Sequence, residues 1–185
     1  MKRIKCRIAN IAASVMLLAT FIAIPAHALP LVTNGDFETG DFSGWVASGP
    51  YLGVDTYANS GSFAAYMGTP FTPGSLSQSV LTNVGSEYVL SFALANSGGI
   101  NQFIALADGV TLLDIQNGGW QPYTQYALTF TATKSLTDIS LLGQNDVGAL
   151  HLDDVMVEPV PEPSTVLLLG AGLFGICIWR KRANA

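Results

Sequence analysis

Alternation with a period of two dominates the middle of the chain. Tyr88, Leu90, Phe92 and Leu94 alternate with Val89, Ser91, Ala93 and Ala95. Tyr126, Leu128 and Phe130 alternate with Thr129 and Thr131 in the same way. Successive side chains of a strand point to opposite faces, so this pattern marks strands with one buried face. Further short apolar runs at 62–67, 75–81, 102–107, 110–115, 136–142 and 149–157 read as strands too. Turn-forming clusters separate them: Asn59-Ser60-Gly61, Thr72-Pro73-Gly74, Asn96-Ser97-Gly98-Gly99 and Asn117-Gly118-Gly119. Asp108-Gly109 lies between two apolar runs and is the strongest two-residue hairpin signal. Helical periodicity is absent between residues 29 and 158. Eight or nine short strands at this spacing predict an all-β, two-sheet jelly-roll β-sandwich.

The two ends follow other patterns. Lys2, Arg3, Lys5 and Arg7 precede an apolar stretch from Ile8 to Ile24, and Ala26-His27-Ala28 is a small-x-small cleavage site. That order predicts a secretory signal peptide over residues 1–28, outside the fold. At the other end, Pro161-Glu162-Pro163-Ser164 precedes an apolar run from Thr165 to Trp179 and a basic stop, Arg180-Lys181-Arg182. As a helix the run would be about 22 Å long against a hydrocarbon core of about 30 Å, which suits a single transmembrane segment of marginal length. The basic stop places the C-terminus in the cytoplasm and the domain outside. The tail, residues 159–185, resembles the PEP-CTERM sorting signal of bacteria that make extracellular polysaccharide. The resemblance implies that an exosortase recognises Pro161, Glu162 and Pro163 and removes the tail. It also implies a brief stay in the inner membrane, then the cell surface or extracellular matrix.

Charge sharpens this division. Seven of the eight Lys and Arg residues lie in the two end segments, leaving Lys134 in the domain at 29–158. Twelve acidic residues lie between Asp36 and Glu158, so the domain carries 1 − 12 = −11. This excludes nucleic acid as a partner, because phosphate binding needs basic patches. Cys6 and Cys177 both belong to the ends, so the domain can form no disulfide.

The domain opens with Asn34-Gly35-Asp36-Phe37-Glu38, passes through Asn59-Ser60-Gly61-Ser62-Phe63 and Gly119-Trp120-Gln121-Pro122-Tyr123, and closes with His151-Leu152-Asp153-Asp154-Val155. In this order the segments resemble the galactose-binding-like jelly rolls, notably carbohydrate-binding modules. The resemblance implies that the first and last segments lie side by side and hold a structural calcium. Glu38 and Asp153 would supply side-chain oxygens, and Ser60 and Gly61 backbone carbonyls. Strand alternation allows only one of Asp153 and Asp154 to face such a site. Trp45 and Trp120 are expected in the core, and Tyr51, Tyr57 and Tyr123, near loops, form the candidate sugar platform. The domain's one histidine, His151, is expected to be structural, and no Gly-x-Ser-x-Gly elbow accompanies it. The functional expectation is a non-catalytic module associating with extracellular polysaccharide. The alternatives are a structural biofilm protein without a sugar ligand and a matrix-acting hydrolase.

Overall fold

The structure is a computed structural model and describes residues 31–68, 72–161, 170, 172 and 173. Expectations for the signal peptide, Glu162, Pro163 and most of the apolar tail fall outside these residues. Ten strands form in chain order: β1 (Val46–Ser48), β2 (Leu52–Asp55), β3 (Ala64–Met67), β4 (Gly74–Leu81), β5 (Glu87–Asn96), β6 (Asn101–Ala107), β7 (Val110–Gln116), β8 (Gln121–Thr131), β9 (Leu136–Asn145) and β10 (Leu150–Pro159). β1 and β2 are the additions to the sequence reading; at three and four residues they are too short to show periodicity.

Two five-stranded antiparallel sheets result, ordered β1-β4-β9-β6-β7 and β2-β3-β10-β5-β8. The alternating residues meet between them. Leu90, Phe92 and Leu94 from β5 and Leu150 and Leu152 from β10 face Leu76, Val80, Phe103, Ile139 and Leu141 from the other sheet, all buried. Phe92 packs on Phe103 across the interface at 5.3 Å. Burying such side chains contributes about 1.5–3 kcal/mol each, and in a domain without disulfides this core carries the fold. β6 and β7 turn at Asp108 (φ 48°) and Gly109 (φ 78°), the two positive values that a type I′ hairpin requires.

β10 departs from strict alternation. Leu150 and Leu152 face inward, then Val155 and Val157, so the buried positions shift from even to odd numbers. The pairing with β5 shifts register between Asp153 and Met156, and Asp154 adopts φ 51°. One extra residue is thus absorbed in a β-bulge. The N-terminal segment runs beside this bulge: Leu31 N–H donates to Val157 O at 3.1 Å, and Val155 N–H to Gly35 O at 2.8 Å.

Candidate functional site

The bulge corrects one sequence expectation. Asp153 and Asp154 both reach the β2–β3 loop, because the left-handed backbone at Asp154 breaks the alternation between them. Asp153 is fully buried, and its Oδ2 accepts Asn59 N–H at 2.8 Å and Ser60 N–H at 3.1 Å. Its Oδ1 accepts Asp154 N–H at 2.7 Å. Asp154 accepts from Asn59 Nδ2 at 2.7 Å and from Ser60 Oγ at 2.6 Å. From the other side, Glu38 Oε1 accepts Ser62 N–H at 2.6 Å and Phe63 N–H at 2.8 Å. Gly61 turns between them at φ 63°, and a Cβ there would overlap the Glu38 carboxylate. Glu38, Ser60, Gly61 and Asp153 therefore do come together.

Burial pushes the Asp153 carboxyl above its ordinary range, and the N–H bonds from Ser60, Asp154 and Asn59 oppose that only in part. The donor chemistry suits a hard cation: clustered carboxylate oxygens, while the only Lys or Arg among the described residues, Lys134, is paired to Asp108. The backbone N–H groups already occupy both Asp153 oxygens and one Glu38 oxygen. No group of three or more His, Cys, Asp or Glu side chains with metal-binding geometry occurs among the described residues.

The clasped loop folds across the outer face of the second sheet and carries Tyr57 over it. On that face Gly53, Tyr66, His151 and Ala95 lie in one cross-strand row. The Tyr57 ring stands 4.8 Å from His151 and stacks on Tyr123 at 5.7 Å. The Tyr123 hydroxyl donates to Tyr57 O at 2.6 Å. Burial and then the Asp153 and Asp55 charges raise the Tyr123 hydroxyl's pKa, so it stays a donor. Asp55 completes the arrangement, accepting Tyr57 N–H at 3.0 Å and lying 3.1 Å from His151 Nε2.

Beside Tyr57 a depression of about 260 Å³ opens, lined by Ala95, Asn96, Ser97, Trp120, Gln121 and His151 as well. Trp120 is 71 % exposed, which corrects its expected place in the core; Trp45 is buried and donates from Nε1 to Asn34 O at 2.9 Å. Trp120 follows Asn117, Gly118 and Gly119 in the connection between β7 and β8, and that turn-forming cluster is the feature of the sequence consistent with an exposed side chain. Three buried asparagines brace the surrounding loops. Asn96 Nδ2 donates to Gly118 O at 3.1 Å, Asn101 Nδ2 to the same oxygen at 2.8 Å, and Asn145 Nδ2 to Gly98 O at 2.9 Å. Tyr57, at 54 % exposed, lines the depression, whereas Tyr123 is half-buried behind it. Tyr51 is exposed but lies outside the lining.

The depression therefore offers two aromatic faces, the polar side chains of Ser97 and Gln121, and one imidazole. That combination suits a polyhydroxylated ring, with apolar faces for stacking and edges for hydrogen bonding. A Ser–His relay is not formed: the Ser97 hydroxyl donates to Ala149 O at 3.0 Å, and His151 is directed to Asp55.

Comparison with known proteins accounts for the end of the chain first. Residues 159–182 match the PEP-CTERM protein-sorting motif. The chain carries an exosortase-type sorting signal, the mark of an exported protein. Within the motif Pro161 is described and has no regular secondary structure. No helix among the described residues is long and apolar enough to cross a membrane. No curated protein is significantly similar in sequence.

Solved structures match the sandwich. The carbohydrate-binding module TmCBM61, in complex with beta-1,4-galactotriose, aligns with TM-score 0.59 at 20% identity, over 72% of this chain and 100% of that one. A Family 16 Carbohydrate Binding Module-2 aligns with TM-score 0.52 at 15% identity, over 69% and 99%. The K3 cleaved adhesin domain of Lys-gingipain from Porphyromonas gingivalis aligns with TM-score 0.53 at 14% identity, over 68% and 96%. At these identities the likeness establishes the jelly-roll fold that this chain shares with them.

Proposed function

We propose that this exported protein is a non-catalytic module that binds polysaccharide in the depression walled by Tyr57 and Trp120. The observation that carries the reading is Trp120, a large aromatic side chain exposed beside Asn96, Ser97, Gln121 and His151 and braced by buried asparagines. Exposing an indole forgoes its burial energy, so a ligand that covers it gains affinity. Two of the structural neighbours, TmCBM61 and the family 16 module, are carbohydrate-binding modules, which supports the same class of ligand. Exosortase acts at Pro161-Glu162-Pro163 in this reading, after a transient stay in the inner membrane. The product then associates with polysaccharide at the cell surface or in the matrix.

The same proposal includes a structural calcium at Glu38 and Asp153, with the Ser60 and Gly61 carbonyls. Calcium would neutralise the carboxylates that fasten the β2–β3 loop, and so hold Tyr57 in place. The decisive experiment is a glycan array probed with the tail-free domain, with Trp120→Ala in parallel. Binding to a polysaccharide that is lost in Trp120→Ala is expected. A domain that binds no glycan, with or without calcium, refutes the sugar reading.

A further inference from the structure

The chain leaves the sandwich at the end opposite the depression. β10 starts at the ligand end, where His151 pairs with Ala95 and Tyr66. It finishes where Pro159 pairs with Tyr88, and Val160 N–H donates to Glu87 O at 2.9 Å. Ten strand residues at about 3.3 Å each put these ends ~30 Å apart. In the sequence only residues 161–164 lie between this last backbone bond and the apolar run at Thr165. Four residues span at most about 14 Å. A tail seated in a bilayer therefore holds this end of the sandwich close to the lipid.

Four aliphatic side chains are presented to solvent at that end. Leu81, Val84, Val110 and Leu136 are all exposed there. The loops that bear them are tied into one platform. Thr82 N–H donates to Ser135 O at 3.1 Å, Gly85 N–H to Ala132 O at 2.8 Å, and Asp108 N–H to Asp138 O at 2.8 Å. Lys134, the only Lys or Arg among the described residues, sits on this platform, its side chain 64% exposed and 3.4 Å from Asp108. The carboxylates at this end are Asp108, held by Lys134 and Thr133; Asp138, bonded by Ser79; exposed Glu87; and Glu158, half-buried beside Pro159.

We propose that this end is a membrane-facing surface. With the tail in the bilayer, Leu81, Val84, Val110 and Leu136 settle among the lipid headgroups while the Tyr57–Trp120 depression points away. The inference rests on the reading of the tail as a membrane segment. Exposed aliphatic side chains gain by entering the interface. Each contact is weak alone, but a short tether raises the local lipid concentration enough to hold several together. A bilayer fits better than a protein partner because the connector is too short to admit one between domain and lipid.

The domain's lack of cysteine makes the test direct. The full chain with Cys6→Ser and Cys177→Ser receives one fluorophore, at Val84→Cys or Leu136→Cys on the platform or at Val147→Cys by the depression. Each is mixed with phosphatidylcholine vesicles containing spin-labelled lipid. The proposal expects quenching about threefold or more greater at position 84 or 136 than at 147. Equal quenching, or stronger quenching at 147, overturns it while leaving the tail reading intact. A chain that fails to float with the vesicles overturns the tail reading, and this inference with it.

Discussion

The β2–β3 loop, which carries Tyr57, is fastened by Asp153 together with Asp154 and Glu38, and replacing the buried Asp153 tests the architecture of the site. Asp153 accepts three backbone N–H groups, from Asn59, Ser60 and Asp154, and is fully buried. A hydrogen bond to a charged group contributes about 1.5–3 kcal/mol, so three sum to roughly 4.5–9 kcal/mol before compensation. Two effects reduce this. The freed N–H groups of a surface loop can turn to water, and burial already penalises the ionised carboxylate. A net loss of about 3 kcal/mol is expected for Asp153→Ala, which lowers Tm by roughly 10 °C in a domain of this size. Asp153→Asn keeps an acceptor and should lose about half as much. Thermal unfolding followed by circular dichroism measures both. Asp114→Ala is the control, since exposed Asp114 accepts from the side chains of Gln102 and Gln116 at the surface. If Asp153→Ala loses no more than this control, about 0.5 kcal/mol or less, the clasp does not hold the loop and the account fails.

Trp120→Ala should weaken glycan binding by about 2 kcal/mol, near thirtyfold by calorimetry, while Tm moves by less than about 2 °C, because the indole is largely exposed. Gly35→Ala places a Cβ against the Val155 backbone carbonyl and should cost about 3 kcal/mol in denaturant unfolding, since backbone cannot yield as a flexible side chain can. For pH, Asp153 has its carboxyl raised in the fold, so it binds its proton more tightly there than in the unfolded chain. Its contribution makes calcium-free protein more stable as pH falls from neutrality towards the raised value, and Asp153→Asn removes that rise. Asp41, Asp108 and Asp114 are lowered, chiefly by hydrogen bonds from Ser43, Asp138 and Gln102. Their contribution is lost below the ordinary carboxylate range, so stability falls again in stronger acid. Calcium at 100 times its dissociation constant should add about 2.7 kcal/mol, read as a rise in Tm that EGTA reverses; no rise in the wild type removes the metal proposal.

Much of this protein was written in one dimension. Alternation over 88–95 and 126–131 became the inner rows of β5 and β8, because a period of two can bury one face only in a strand. Asp108-Gly109 became the β6–β7 turn, because that pair tolerates two left-handed residues. The sorting motif was equally legible, since it is read as a linear sequence. The site was legible in part. Glu38, Ser60, Gly61 and Asp153, which the family resemblance groups, meet around one loop. Strict alternation would turn Asp154 away from the site. The spacing Leu150, Leu152, Val155, Val157 already contained the extra residue, but only pairing with β5 shows where the bulge falls. Trp120 and Tyr123 illustrate the other limit. Both are aromatic residues beside a turn, yet one is presented to solvent and the other half-buried behind Tyr57. Exposure depends on what distant segments cover, and residues 57 and 123 meet only after the sheet has formed. The sequence by itself determined eight of the ten strands, the inner faces of β5 and β8, the acidic surface and the sorting motif. The tertiary structure decided which polar and aromatic groups converge, and that the depression lies at the start of β10, away from its C-terminal end.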